Sequence, residues 1–78
     1  MAVTAYLLIQ TEVGKAAHVV EAIREIDGVV SADDVTGPHD AIVIIEAENI
    51  DELGRMVVSK IQAVEGITRT LTCPVVNF

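Results

Sequence analysis

The sequence predicts an α+β domain with the element order β-α-β-β-α-β, and three observations carry that prediction. Four short segments rich in Val, Ile and Thr alternate with two segments whose apolar residues recur at three- and four-residue steps. A pattern recurs along the chain. "IREIDGVVSA" (23–32) and "IQAVEGITRT" (61–70) both read apolar–x–x–apolar–acid–Gly–apolar, which is a helix end, a glycine stop and a strand start. The densest group of turn residues, Thr36 to Asp40, falls between the second and third apolar segments, where a hairpin would join two βαβ halves.

Each element has its own warrant. "VTAYLLIQT" (3–11) is short and β-branched, stops before Gly14 and reads as the first strand. "GKAAHVVEAIREIDG" (14–28) reads as a helix, with Ala16, Val19, Val20, Ile23 and Ile26 on one face and Gly28 as its stop. "VVSADDVT" (29–36) is the most polar strand, and "DAIVIIEAE" (40–48) is the third. "IDELGRMVVSKIQAVEG" (50–66) reads as the second helix. Asn49 is its N-cap with Glu52 three residues on, Ile50, Leu53, Val57, Ile61 and Val64 form its stripe, and Gly66 ends it. "ITRTLTCPVV" (67–76) is the fourth strand. Right-handed crossovers then give the strand order 4-1-3-2, a ferredoxin-like arrangement with both helices on one face of an antiparallel sheet. Pro74 fits this order, because a strand proline belongs on an edge.

The central strands are apolar on both sides. Ala41, Val43 and Ile45 alternate with Ile42 and Ile44, while Ala5, Leu7 and Ile9 alternate with Tyr6 and Leu8. A helix-free face of that composition calls for a cover, and a second copy of the sheet is the simplest one. Chain length agrees. A domain of 78 residues buries only roughly 60–65% of its unfolded surface. The single cysteine, Cys73, excludes an internal disulfide, and His18 and His39 show no metal-ligand spacing. No metal or cofactor is expected, so association is the expected source of stability.

Net charge is −7, and Lys15, Arg24, Arg55, Lys60 and Arg69 are scattered. Without a basic patch, neither direct nucleic-acid binding nor attraction to an anionic membrane is expected. No apolar run approaches the ~20 residues that span a bilayer. "MAVTAYLLIQTE" lacks the basic start of a secretory signal, and a lone thiol suits a reducing compartment, so the expected location is cytoplasmic.

"VTGPHD" (35–40) is the only place where turn residues, an imidazole and a carboxylate crowd together. Its plain reading is a turn, in which Gly37 supplies a positive φ, Pro38 presets an angle and Thr36 or Asp40 satisfies turn amides. His39 and Asp40 do not make an acid–base pair, because neighbours entering a strand point to opposite faces. Cys73 reads as a small buried residue, His18 as solvated, and Asp33–Asp34 as charges guarding a strand edge.

The stretches "AYLLIQTEVGK", "IREIDGVVSADDVTGPHDAIVIIEAENIDEL" and "KIQAVEGITRTLTCPVV" cover nearly the whole chain. They resemble the effector-binding (RAM) domain of the leucine-responsive/asparagine-responsive (Lrp/AsnC) transcription regulators. The strings "V-T-G-x-x-D" and "V-E-G-I-T-R-T-x-T" are the most specific part. Family regulators carry an N-terminal helix-turn-helix domain. Here the first strand begins two residues after Met1, so a stand-alone module in one domain, 1–78, is expected. The resemblance implies homodimers through the open sheet face, assembly of dimers into octamer-like rings, and an amino acid effector bound between dimers. It also implies full-length regulators of the family as partners. On this resemblance Thr36, Gly37, Pro38, His39 and Asp40 form the ligand-binding turn, with Asp40 facing an α-ammonium group, and Thr70 and Thr72 add hydroxyls. The competing reading is a small dimeric α+β-barrel enzyme, monooxygenase- or isomerase-like, with His39 or Asp40 moving a proton. The dominance of small aliphatic residues disfavours it.

Overall fold

The computed structural model describes residues 2–76. Strand β1 (Val3–Thr11) leads into helix α1 (Ala16–Arg24), followed by β2 (Val29–Asp34), β3 (Ala41–Ala47), helix α2 (Ile50–Met56) and β4 (Ile67–Pro74). The sheet is antiparallel with the order β2-β3-β1-β4, as the crossover rule requires. The helices are shorter than their sequence patterns. Residues 25–27 belong to the turn before β2, and α2 changes winding before it ends.

That change is a π-helical turn, Val57–Ile61, closed by the Gln62 amide donating to the Val57 carbonyl at 2.9 Å. The apolar residues explain why a wider turn serves here. Leu53, Val57 and Ile61 are all buried and are spaced by four. In a regular helix of 3.6 residues per turn, each such step drifts about 40° around the axis. The wider turn takes up part of that drift and keeps Ile61 over the sheet. The Ser59 hydroxyl also donates back to the Arg55 carbonyl at 2.6 Å, a bond that competes with regular helix. At the other end Asn49 caps the helix as expected, its Oδ1 accepting from the Glu52 amide at 2.8 Å.

The core lies between the helices and one face of the sheet. Ala5, Leu7 and Ile9 of β1 and Ala41, Val43 and Ile45 of β3 are fully buried against Val19, Val20 and Ile23 of α1 and Leu53, Val57 and Ile61 of the second helical segment. Ile50 is not part of that stripe and is 54% exposed. The two repeat glycines make matching close approaches. A Cβ on Gly28 would stand 3.0 Å from the Met56 side chain, and one on Gly66 would stand 3.0 Å from Val19. Each glycine carbonyl accepts from a strand amide at 2.8 Å, Gly28 from Glu46 and Gly66 from Glu12.

The helix-free face carries Tyr6 and Leu8 of β1, Ile42 and Ile44 of β3, and Leu71 and Cys73 of β4, set side by side by the strand register. Tyr6 is 45% exposed and Leu71 41%. Cys73 is exposed there, opposite Tyr6, and not buried as its small apolar side chain suggested. The sequence pattern placed it in a strand but left open which face it takes.

The two sheet edges differ. On β2 the Ala32 carbonyl faces outward and accepts from Arg24 Nε at 2.9 Å and Nη2 at 2.7 Å. On β4 the Val75 amide donates inward to the Thr4 carbonyl at 2.8 Å. Inward and outward groups alternate, so Thr70, Thr72 and Pro74 turn their backbone outward. Pro74 therefore loses no ladder bond. Arg24→Ala should uncover the Ala32 carbonyl and cost on the order of 1 kcal/mol, seen as a melting temperature lower by about 4–8 °C.

Candidate functional site

Residues Thr36–Asp40 connect β2 to β3, and the end of β1 holds them in place. The Asp40 amide donates to the Ile9 carbonyl at 2.9 Å, and the Val35 amide donates to the Asp40 carbonyl at 3.0 Å. Beyond this point β3 no longer runs beside β1. The Asp40 side chain takes over: its Oδ2 accepts from the Thr11 amide at 2.8 Å and from the Thr11 hydroxyl at 3.4 Å. A carboxylate thus stands where a longer strand would have put a backbone carbonyl. Among the described residues Oδ1 has no such partner, which leaves one carboxylate oxygen for another donor.

Gln10 completes the clasp, its Nε2 donating to the Pro38 carbonyl at 3.2 Å. Sequence reasoning missed Gln10 and Thr11, because their part depends on register. Ile9 is opposite Ala41, so the two residues after Ile9 are the ones beside the turn. Gly37 has a φ of +136°, with open space where a Cβ would be. That backbone suits glycine and leaves the peptide approachable. Thr36, Gly37 and Pro38 are exposed, while His39 and Asp40 are half-buried.

Thr70 and Thr72 lie elsewhere on the same molecule. Thr70 is opposite Ile9 and Thr72 opposite Leu7, so both hydroxyls belong to the helix side of the β4 edge. Thr70 Oγ1 accepts from Gln62 Nε2 at 3.4 Å. Strand β1 separates the threonines from the turn. With strands about 4.8 Å apart, the Thr70 backbone is about 10 Å from that of Ala41. One chain therefore does not gather the seven residues around a common cavity.

The clefts of the monomer lie away from the turn. One of about 600 Å³ runs between the α1–β2 turn and α2, beside Asp27, Glu46, Glu52, Arg55 and Lys60. A groove of about 340 Å³ follows the outer flank of α2 along β4 and includes Thr72. A third of about 330 Å³, at the start of β4, is lined by Gln62, Thr68, Arg69 and Thr70. Among the described residues no group of three His, Cys, Asp or Glu is placed to hold a metal ion. No helix among them is long and apolar enough to cross a membrane.

Comparison with known proteins agrees with this geometry. An uncharacterised HTH-type transcriptional regulator of Pyrococcus horikoshii is 32% identical over 72 residues, which are 88% of this chain and 48% of that protein. The chain thus spans about half the length of the curated relatives it matches. The crystal structure of TTHA0845 from Thermus thermophilus superposes with a TM-score of 0.91 at 30% identity, covering 97% of this chain and 95% of that one. AsnC of Escherichia coli shares the fold, with a TM-score of 0.90 at 22% identity over 97% of this chain and 52% of its own. The family model of the Lrp/AsnC ligand binding domain matches residues 4–77. On that match, and on the βαββαβ sheet that carries it, the chain belongs to the Lrp/AsnC ligand-binding domain family.

Proposed function

We propose that the chain is an effector-binding module that dimerises through its open sheet face, assembles further into an octamer-like ring, and binds an amino acid where copies meet. In this reading it modulates transcription regulators of its own family, in the cytoplasm, and catalyses no reaction. The separation of the turn from the threonines carries the reading. Thr36–Asp40 and Thr70–Thr72 are opposed across β1 within one chain, so a site that uses both sets takes the turn from one copy and β4 from another. The free Oδ1 of Asp40 then faces an α-ammonium group, the open backbone at Gly37 admits the ligand, and Thr70 and Thr72 supply donors from the neighbour. His39 flanks the turn, with specificity as its role.

The competing enzyme reading has less support. Asp40 spends its Oδ2 on Thr11 and makes no bond to His39 among the described residues. The grooves are open, and none of those described is lined by the turn.

Calorimetric titration of the twenty amino acids, with mass measured in solution, tests the proposal. At least one amino acid should bind and the mass should be a multiple of 8.3 kDa. A monomer that binds none of them would overturn it. The acidic balance, −7 overall, adds an expectation: at physiological salt the isolated chain should not retard genomic DNA fragments in a gel, since phosphate contacts need clustered cations. Sequence-specific retardation would contradict the module reading.

A further inference from the structure

The second helical segment has two apolar stripes, and the core uses only one. Leu53, Val57 and Ile61 face the sheet. Ile50 and Val58 lie on the outer flank, 54% and 66% exposed. Between them in the same four-residue rhythm sits Gly54, and a Cβ built there meets nothing within 4 Å. A glycine inside a helix weakens it relative to almost any other residue, and no close packing requires this one. What it provides is room. Gly54 forms the floor of the groove of about 340 Å³ that runs between this flank and β4. That volume is within the range of small-molecule sites, about 300–1,000 Å³.

The groove has two chemically distinct halves. No charged side chain lines the part beside Ile50, Gly54, Val58 and Pro74. The adjoining part, at the start of β4, is lined by Gln62, Thr68, Arg69 and Thr70 and contains a cation but no acid. Gln62 borders both halves. Arg69 is exposed and has no ion-pair partner among the described residues.

We infer that this groove selects amino acids with an aliphatic side chain. The carboxylate lies at the Arg69–Thr70 end, and the side chain lies along Ile50, Gly54 and Val58. The inference rests on the effector reading above and names its ligand class. The ammonium group is left for Asp40 of the neighbouring copy. An acidic or basic side chain would lose its hydration in the apolar half without gaining a partner there.

Titration of the intact chain with L-leucine, L-isoleucine, glycine, L-aspartate and L-lysine tests this. Leucine or isoleucine should bind at least about tenfold tighter than the other three, from burial of the side chain. Gly54→Leu should fill the groove and weaken leucine binding at least about tenfold. It should fold with an unchanged or raised melting temperature, because leucine is the better helix former and the space is open. Aspartate or lysine binding as tightly as leucine would overturn the inference while leaving the effector reading in place. So would Gly54→Leu with full leucine affinity, or a changed mass of this variant without ligand, which would make the groove a contact between copies. Failure of every amino acid to bind would overturn the effector reading itself.

Discussion

Ile44→Lys is expected to give a folded monomer, and Ile45→Lys, one residue further on, no folded protein. Ile45 is fully buried between β3 and the helices. A lysine there must either hold an unpaired charge in the core or break the packing around it, at a cost of several kcal/mol. For a domain this small that approaches its whole stability, about 5 kcal/mol at the low end of the usual range. Ile44 points the other way, beside Tyr6 on one strand and Ser31 on the other. A lysine there leaves the packing on the helix side untouched. The charge falls instead in the middle of the apolar patch made by Tyr6, Leu8, Ile42, Leu71 and Cys73. Light scattering and circular dichroism on both variants decide the matter. An Ile44→Lys protein that keeps the wild-type mass would remove the open face from the assembly.

Asp40→Asn is expected to weaken effector binding about ten- to a hundredfold, as loss of a charge-assisted contact costs on the order of 1.5–3 kcal/mol. The clasp explains why asparagine is the informative substitution. Its amide oxygen can still accept from the Thr11 amide, as Oδ2 does at 2.8 Å. The turn should therefore hold and the melting temperature should change little. Asp40→Ala removes the clasp as well and leaves the half-buried Thr11 amide unpaired, at a cost of about 1–3 kcal/mol. The two variants should thus differ in melting temperature and agree in poor binding. If Asp40→Asn keeps full affinity and only its melt changes, the residue closes a turn and does nothing more.

Much of the fold was legible in the sequence because its signals are local. The glycine stops at Gly28 and Gly66, the cap at Asn49 and the alternation in β3 are each decided within a few residues. Pro74 then fixed an edge without any knowledge of its neighbours. What the sequence did not disclose depends on register and three-dimensional spacing. Cys73 and Thr72 are adjacent in β4, yet one joins the open face and the other the helix side. That parity is set by pairing with Tyr6 and Leu7. Ile50 fits the periodicity of the core stripe and falls outside it, since four-residue spacing alone does not distinguish the two flanks of a helix. The turn at Asp40 was visible as a cluster of residue types. Its attachment to Gln10 and Thr11 came only with the alignment of β1 against β3.

The unlike edges of the sheet bear on how copies can multiply. An antiparallel sheet with two bare edges is a template for unlimited growth, strand upon strand. Here Arg24 occupies the outward carbonyl of Ala32 on β2, and Pro74 offers no amide at the end of β4. Neither edge presents an uninterrupted ladder, so lateral addition of a further strand is poorly rewarded. Such a chain can carry an unusually greasy surface through synthesis at high concentration, because its stickiness is steered face-on. Growth in that direction ends once two faces have met, whereas fibre growth has no such end.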